Sequence, residues 1–297
     1  MDFYQSAEMP DFIQKAKSIG IVANDAGGAR QIGWLTRILD CDITYFATGP
    51  AISILGQALP GARLGNSLKE ILDEDLLITG SGWMTQLEQQ AIEIANIQSL
   101  NYITVIDHWV NYRERFARSN SSIPTRVGTT NDLAFELAEF TFTNSQIVKL
   151  PDLELDYYRQ FLSKNIHKKS HILVILEPNS KFSSGAEYLI DSGREIEIIN
   201  FAVDKCRMQG LQEVILRPHP SQNGKLPNDL EFNDKTISIR FSDKDDLLQD
   251  LVGASAVIGF GSYALYLSSK VEIETYSYFK GSPKHWVNRF SSILSIA

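Results

Sequence analysis

Only two cysteines occur in 297 residues, Cys41 and Cys206, and neither belongs to a CxxC pair or a Cys/His cluster. That excludes a disulfide-stapled framework and a thiolate zinc site, and it implies a reduced, cytosolic setting. Apolar runs are short as well. None reaches the ~20 residues needed to span a bilayer, and the opening MDFYQSAEMPDF lacks the basic-then-apolar layout of a signal peptide. The expected location is cytoplasmic, with a peripheral membrane contact through the C-terminus left open. Positive charge is also scarce: 28 Lys and Arg against 36 Asp and Glu give a net charge of -8. A general nucleic-acid binder needs a basic footprint, so nucleic acid is excluded as a partner. A local pocket for a phosphorylated small molecule is not. Neither GxGxxG nor a His/Cys ligand set is present, so neither a dinucleotide cofactor nor a metal is expected. The acidic pair in DKDD at Asp243–Asp246 reads as a helix N-terminus whose acids favour the dipole.

What is present is alternation. Short β-branched runs alternate with helical patterns, the signature of α/β architecture with a mostly parallel sheet. In the first half strands are expected at Ile19–Ala23, Ile43–Phe46, Leu76–Thr79, Tyr102–Ile106 and Phe140–Thr143, with helices at Ala29–Leu39, Thr85–Ser99 and Asp132–Glu139. Leu87, Ala91, Ile94 and Ala95 form one stripe, as on a helix covering a sheet. After the polar stretch SKNIHKKS a second set opens with HILVIL, a continuous apolar strand of the kind buried on both faces. It continues with a helix from about Arg194 to Met208, strands at Glu213–Leu216 and Ile237–Arg240, and a helix near Lys244–Val252. A strand at Ala256–Ile258, a helix from about Ser262 and a strand at Val271–Thr275 complete it. Two Rossmann-like domains, 1–150 and 165–297, facing across a cleft are the economical reading, and one long doubly wound sheet is the alternative.

In open α/β sheets ligands bind beyond the carboxyl ends of the strands, so polar residues there are the candidates. NDAGGAR follows the first strand: Gly27 and Gly28 bring backbone N–H groups close to a ligand, and Asn24 or Asp25 either caps the helix or takes part in chemistry. In TGSGWMT, Ser81 or Thr85 donates to a ligand or caps the next helix. VIDHWVNYRERF places Asp107 and His108 straight off a strand, with Arg113 and several aromatics following. A strand-end carboxylate is a sensible general base, and polar with aromatic side chains suits a sugar. The bland alternative is Asp107 as a cap, with Trp109 and Tyr112 packed between domains. Finally, LRPHPSQ fixes His219 between prolines behind Arg217, and GFGSYAL offers Gly259, Gly261 and Ser262 as a strand-to-helix turn able to hold a phosphate.

RPHP followed some forty residues later by VIGFGSYAL resembles the nucleotide-binding half of GT-B glycosyltransferases, above all bacterial sialyltransferases and polysialyltransferases and related capsule and lipopolysaccharide transferases. The resemblance covers about residues 171–275. It implies that His219-Pro220 and Ser262, with Arg217 nearby, hold the cytidine nucleotide of a CMP-activated nonulosonic sugar. The acidic motif that carries the base in several of those families is absent here, which leaves Asp107 or else Asp25 for that role. The resemblance thus implies a metal-independent, inverting glycosyltransferase whose acceptor is a surface glycan or protein and whose N-terminal domain takes that acceptor. Two alternatives remain: a nucleotide-sugar epimerase or hydrolase, and a non-catalytic nucleotide-sugar-binding partner.

Overall fold

The apolar runs become strands of two separate, wholly parallel sheets in the computed structural model, which describes residues 8–82, 85–117, 122–165, 168–177, 192–219, 236–244, 246–281 and 286–296. The first sheet holds β1 (Ser18–Ala23), β2 (Asp42–Ala47), β3 (Arg63–Leu64), β4 (Leu76–Thr79), β5 (Tyr102–Val105), β6 (Arg126–Thr129) and β7 (Gln146–Lys149), in the order β3-β2-β1-β4-β5-β6-β7. The second holds β8 (His171–Ile175), β9 (Glu213–Arg217), β10 (Ser238–Phe241), β11 (Ala254–Gly259), β12 (Glu274–Ser277) and β13 (Ile293–Ser295), in the order β10-β9-β8-β11-β12-β13. Both are doubly wound: the chain steps outward from the first strand, then crosses to the other side. Each sheet lies in its own compact unit, Met1–Glu154 and Leu155–Ala297, so the single long sheet is excluded.

The helices are α1 (Asp11–Gln14), α2 (Ala26–Thr36), α3 (Ala51–Ala58), α4 (Leu87–Gln98), α5 (Asp132–Thr141), α6 (Leu153–Lys164), α7 (Ser192–Met208), α8 (Leu247–Leu251) and α9 (Tyr263–Lys270). Strand alternation sorts the first core into two faces. Ile19, Ile21, Ile78 and Ile103 pack with Ile32, Leu35 and Leu55 of α2 and α3. Val22, Leu77, Tyr102 and Val127 pack with Ala91, Ile92 and Ala95 of α4. Every residue of β8 is buried, as its unbroken apolar run requires. Among the described residues no helix is long and apolar enough to cross a membrane.

Two expected strands are corrected, and two others were not expected. Phe140–Thr143 is not a strand: α5 runs on to Thr141, and the Phe142 N–H closes its last turn onto the Ala138 carbonyl at 2.8 Å. The two strands beyond β5 are instead Arg126–Thr129 and Gln146–Lys149. The first contains Gly128, which weakens the apolar signal but is required, because a methyl there would lie 2.5 Å from Leu150 Cδ1. The last expected strand, Val271–Thr275, begins only at Glu274, since Glu272 takes a left-handed turn at φ 63° after α9.

Candidate functional site

In the first unit the strand order reverses between β1 and β4, and the loops leaving these strands and β5 carry the polar candidates. Asp25 leaves β1 in extended conformation and caps α2, its Oδ1 accepting from the Gly28 N–H at 2.7 Å. Its Oδ2 and Glu88 Oε1 approach one spot: a methyl on Gly82 would lie 2.7 Å and 2.6 Å from them. Only glycine fits there. Asp107, off β5, rests against the first turn of α2, where any side chain on Gly27 would collide with its Oδ2. Its Oδ1 accepts from Arg115 Nη1 at 2.8 Å, and the same nitrogen donates to Ser81 Oγ at 2.9 Å. Glu88 enters from the first turn of α4, is 1% exposed, and accepts from the Asn24 N–H at 2.6 Å. Its Oε2 has no hydrogen-bond partner among the described residues. Asn24 in turn donates through Nδ2 to Thr48 Oγ1 at 2.6 Å.

Three carboxyl groups thus lie close together, and one of them, Asp107, is paired with the buried Arg115 guanidinium. Burial penalises the charged form. It lifts Asp25 to about 7, helped by the negative charge of Asp107 and opposed by the Gly28 N–H. Burial also raises Glu88 above the ordinary carboxylate range, against the pull of the Asn24 amide. A carboxyl group that titrates near neutrality can accept or return a proton at physiological pH.

The sequence candidates distribute unevenly around this cluster. Asn24, Asp25, Gly27, Gly28, Ser81 and Asp107 all belong to it. Ser81 holds Arg115 rather than capping a helix; α4 has no side-chain cap, and Thr85 Oγ1 meets the Leu87 N–H only at 3.4 Å. Arg113 is exposed, while Arg115, two residues on, is the buried cation. His108 is half-buried with its ring edge-on to Trp109 at 5.2 Å. Tyr112 stacks on Phe142 within the first unit.

In the second unit the order reverses between β8 and β11. Ser262 caps α9, its Oγ accepting from the Ala264 N–H at 3.2 Å. Gly259 lets β11 pack on β8, since a methyl would lie 3.1 Å from the Ile175 carbonyl oxygen. Ser268 and Ser269 bond back to carbonyls of α9 itself. The turn at Gly261 is already engaged: its N–H donates to Glu177 Oε1 at 2.7 Å. Glu177 lies two residues past β8. Burial pushes its carboxyl to about 7, while the Gly261 and Ser262 amides pull the other way.

Arg217 ends β9 bound to Asp250 Oδ2 at 2.5 Å and to the Lys244 carbonyl at 3.0 Å. Asp250 is 3% exposed and also accepts from Ser242 Oγ at 2.7 Å. Arg217 is therefore held by a buried carboxylate. His219 is exposed beyond it; Pro220 lies outside the described residues. Because β8 separates β9 from β11, two strand spacings, roughly 10 Å, divide the Arg217 strand end from the Ser262 turn. Glu177 leaves the strand between them.

Four residues escaped the sequence reading: Glu88, Arg115, Glu177 and Asp250. Glu88 sits 64 positions from the Asn24 amide it accepts from, and Asp250 lies 33 positions from the arginine it binds. Glu177 carried a usable signal, a charged residue directly after HILVIL at a strand's carboxyl end.

No protein-family model and no curated protein matches the sequence. Solved structures do. A UDP-GlcNAc 2-epimerase from Methanocaldococcus jannaschii superposes with a TM-score of 0.62 at 11% identity, over 94% of this chain and 89% of that one. The same enzyme in complex with UDP-GlcNAc and UDP gives 0.60 at 12% identity with the same coverage. The MnaA–UDP structure from S. aureus gives 0.54 at 12%, over 88% of this chain and 79% of that one. At such identity the likeness is one of fold: an α/β chain of two Rossmann-like units, the GT-B type.

Proposed function

We propose that the protein is a glycosyltransferase acting on a nucleotide-activated sugar, with Asp25 as the base that takes the proton from an acceptor hydroxyl. The observation that carries this reading is the cluster at the switch point of the first sheet, where Asp25 Oδ2 and Glu88 Oε1 converge beside Gly82 and Asp107 rests on the first turn of α2; burial and Asp107 raise the Asp25 carboxyl to about 7. Asp107, paired with Arg115, supplies the fixed negative charge that keeps Asp25 basic. The first unit is the acceptor side. The second is the donor side, where the turn 259–262 and His219 meet the leaving phosphate. Donors directed at a helix N-terminus stabilise charge that develops as the bond breaks. An acceptor oxygen that attacks from the side opposite the leaving phosphate inverts the anomeric carbon, and no metal is assigned a role. The donor implied by the HP and serine motifs is a CMP-linked nonulosonic acid, and the acceptor a surface glycan or protein.

A second reading has one specific support. The fold likeness includes a UDP-GlcNAc 2-epimerase solved with UDP-GlcNAc and UDP, and an epimerase or hydrolase needs the same proton-transfer group without an acceptor. The two separate in one assay. The protein is incubated with a CMP-linked nonulosonate or with UDP-GlcNAc, in the presence and absence of a glycan acceptor. Acceptor-dependent product that disappears in Asp25→Asn supports transfer. Turnover of the sugar nucleotide alone, at an undiminished rate, replaces transfer with the second reading.

A further inference from the structure

Glu177 is the group the sequence motifs leave unexplained. It follows β8, the strand beside which the second sheet reverses, and its carboxylate crosses the switch point to the turn that follows β11. There Oε1 takes the Gly261 N–H at 2.7 Å, and the Ser262 amide acts on the same carboxyl. These two amides stand just before α9, where the helix dipole favours negative charge. Successive N–H groups at such a place make an anion site for a ligand phosphate. Here a carboxyl group of the protein itself takes that place. The cation at the adjacent strand end, Arg217, is bound to Asp250.

We propose that Glu177 holds the place of the ligand phosphate, and that a phosphate-bearing ligand enters the turn 259–262 by displacing the Glu177 carboxylate from the Gly261 and Ser262 amides. The inference rests on the donor-side reading above and sharpens it. Affinity for the phosphate is set by competition with a tethered carboxylate, so the resting protein excludes weak anions and admits ligands whose other contacts outweigh the displacement. A tethered competitor acts at high effective concentration, and removing it strengthens binding without adding any contact. The first unit shows the same crossing with the opposite sense. Glu88 reaches from the β4 side to the Asn24 amide at 2.6 Å, with Asp25 and Asp107 nearby.

The test is calorimetric titration of the full chain with CMP, UDP and inorganic phosphate, using wild type, Glu177→Gln and Glu177→Ala. Circular dichroism confirms the fold of each; Glu177→Gln, nearly isosteric and still able to accept from Gly261, keeps the test alive if the alanine variant does not fold. Both variants should bind the nucleotide at least tenfold more tightly than wild type, and inorganic phosphate should gain in parallel. Wild-type binding with equal or weaker affinity in the folded variants would overturn the displacement and leave the donor-side reading standing. No binding of any of the three probes by wild type or variants would overturn both.

Discussion

In the reaction proposed above Asp25 is both helix cap and base, two roles with opposed electrostatic demands. As the cap of α2 it accepts from the Gly28 N–H, which favours the ionised form, while burial and Asp107 favour the neutral one. Burial wins, and the group titrates near 7. Asn caps a helix as well as Asp does, so Asp25→Asn should keep the fold while transfer falls by about 10²–10⁴-fold, the usual contribution of a positioned base. Wild-type activity should rise as pH increases through about 7, and that limb should vanish in the variant's residual rate. Stability runs the other way. The native pKa lies above the ordinary 3.8, so the native state binds more protons between about pH 4 and 7. The stabilisation from this group is full below that window and lost as pH rises through it. Urea unfolding at pH 5 and pH 8 measures the slope, which Asp25→Asn should flatten. The arginines give the sharper residue-scale contrast. Arg115 is 6% exposed and paired with Asp107; removing it as Arg115→Ala should cost about 3–5 kcal/mol, the range for orphaning a buried charge. Arg113→Ala, on the surface, should stay within about 0.5 kcal/mol. Chemical denaturation of the two variants decides it. Sequence showed a loop crowded with ligand-type side chains. It had no means to tell which of two arginines, two positions apart on a short 3-10 turn, faces inward.

At the scale of elements, legibility followed the strength of the repeating pattern. β1, β4, β8 and β11 are apolar runs buried on both faces and were read to within a few residues. β6 and β7 were not, because RVGT and QIVK are four residues each and carry charge at the edges. What fixes β6 is tertiary: Gly128 is seated under Leu150 and Ile103. Gly128→Val should overpack that contact and destabilise the first unit by about 1–3 kcal/mol, read as a lower urea midpoint. The end of β9 was legible as a strand end but not as an ion pair, since Asp250 comes from α8. Arg217 reads as a phosphate ligand only while its partner is unknown. With Asp250 2% exposed at its side chain, Arg217→Ala should destabilise the second unit by about 3 kcal/mol. Loss of nucleotide affinity at unchanged stability would instead return Arg217 to the ligand.

For the molecule as a whole, two sheets with the same strand order give one chain two switch points, and each is crossed by a carboxylate. The repetition was invisible in the sequence, which shows no internal repeat: Glu88 reaches back from the fourth strand's side, Glu177 forward from the first strand's side. The two sites still differ in kind. The first gathers three carboxyl groups, one of them paired with Arg115, and is the place the proposed reaction assigns to proton transfer. The second offers backbone amides before a helix, with the Glu177 carboxyl group on the Gly261 N–H. A nucleotide should therefore act on one unit's amides and not on the other's. Stabilisation grows with the logarithm of ligand over its dissociation constant, and local opening reports where that stabilisation falls. In hydrogen exchange with saturating CMP or UDP, amides of 259–264 and of β8 should slow by at least tenfold. Those of Asn24, Gly28 and the start of α2 should exchange at their unliganded rates until an acceptor sugar is added. Nucleotide protection centred on the β1 and β4 loops would reverse the assignment of donor and acceptor sides.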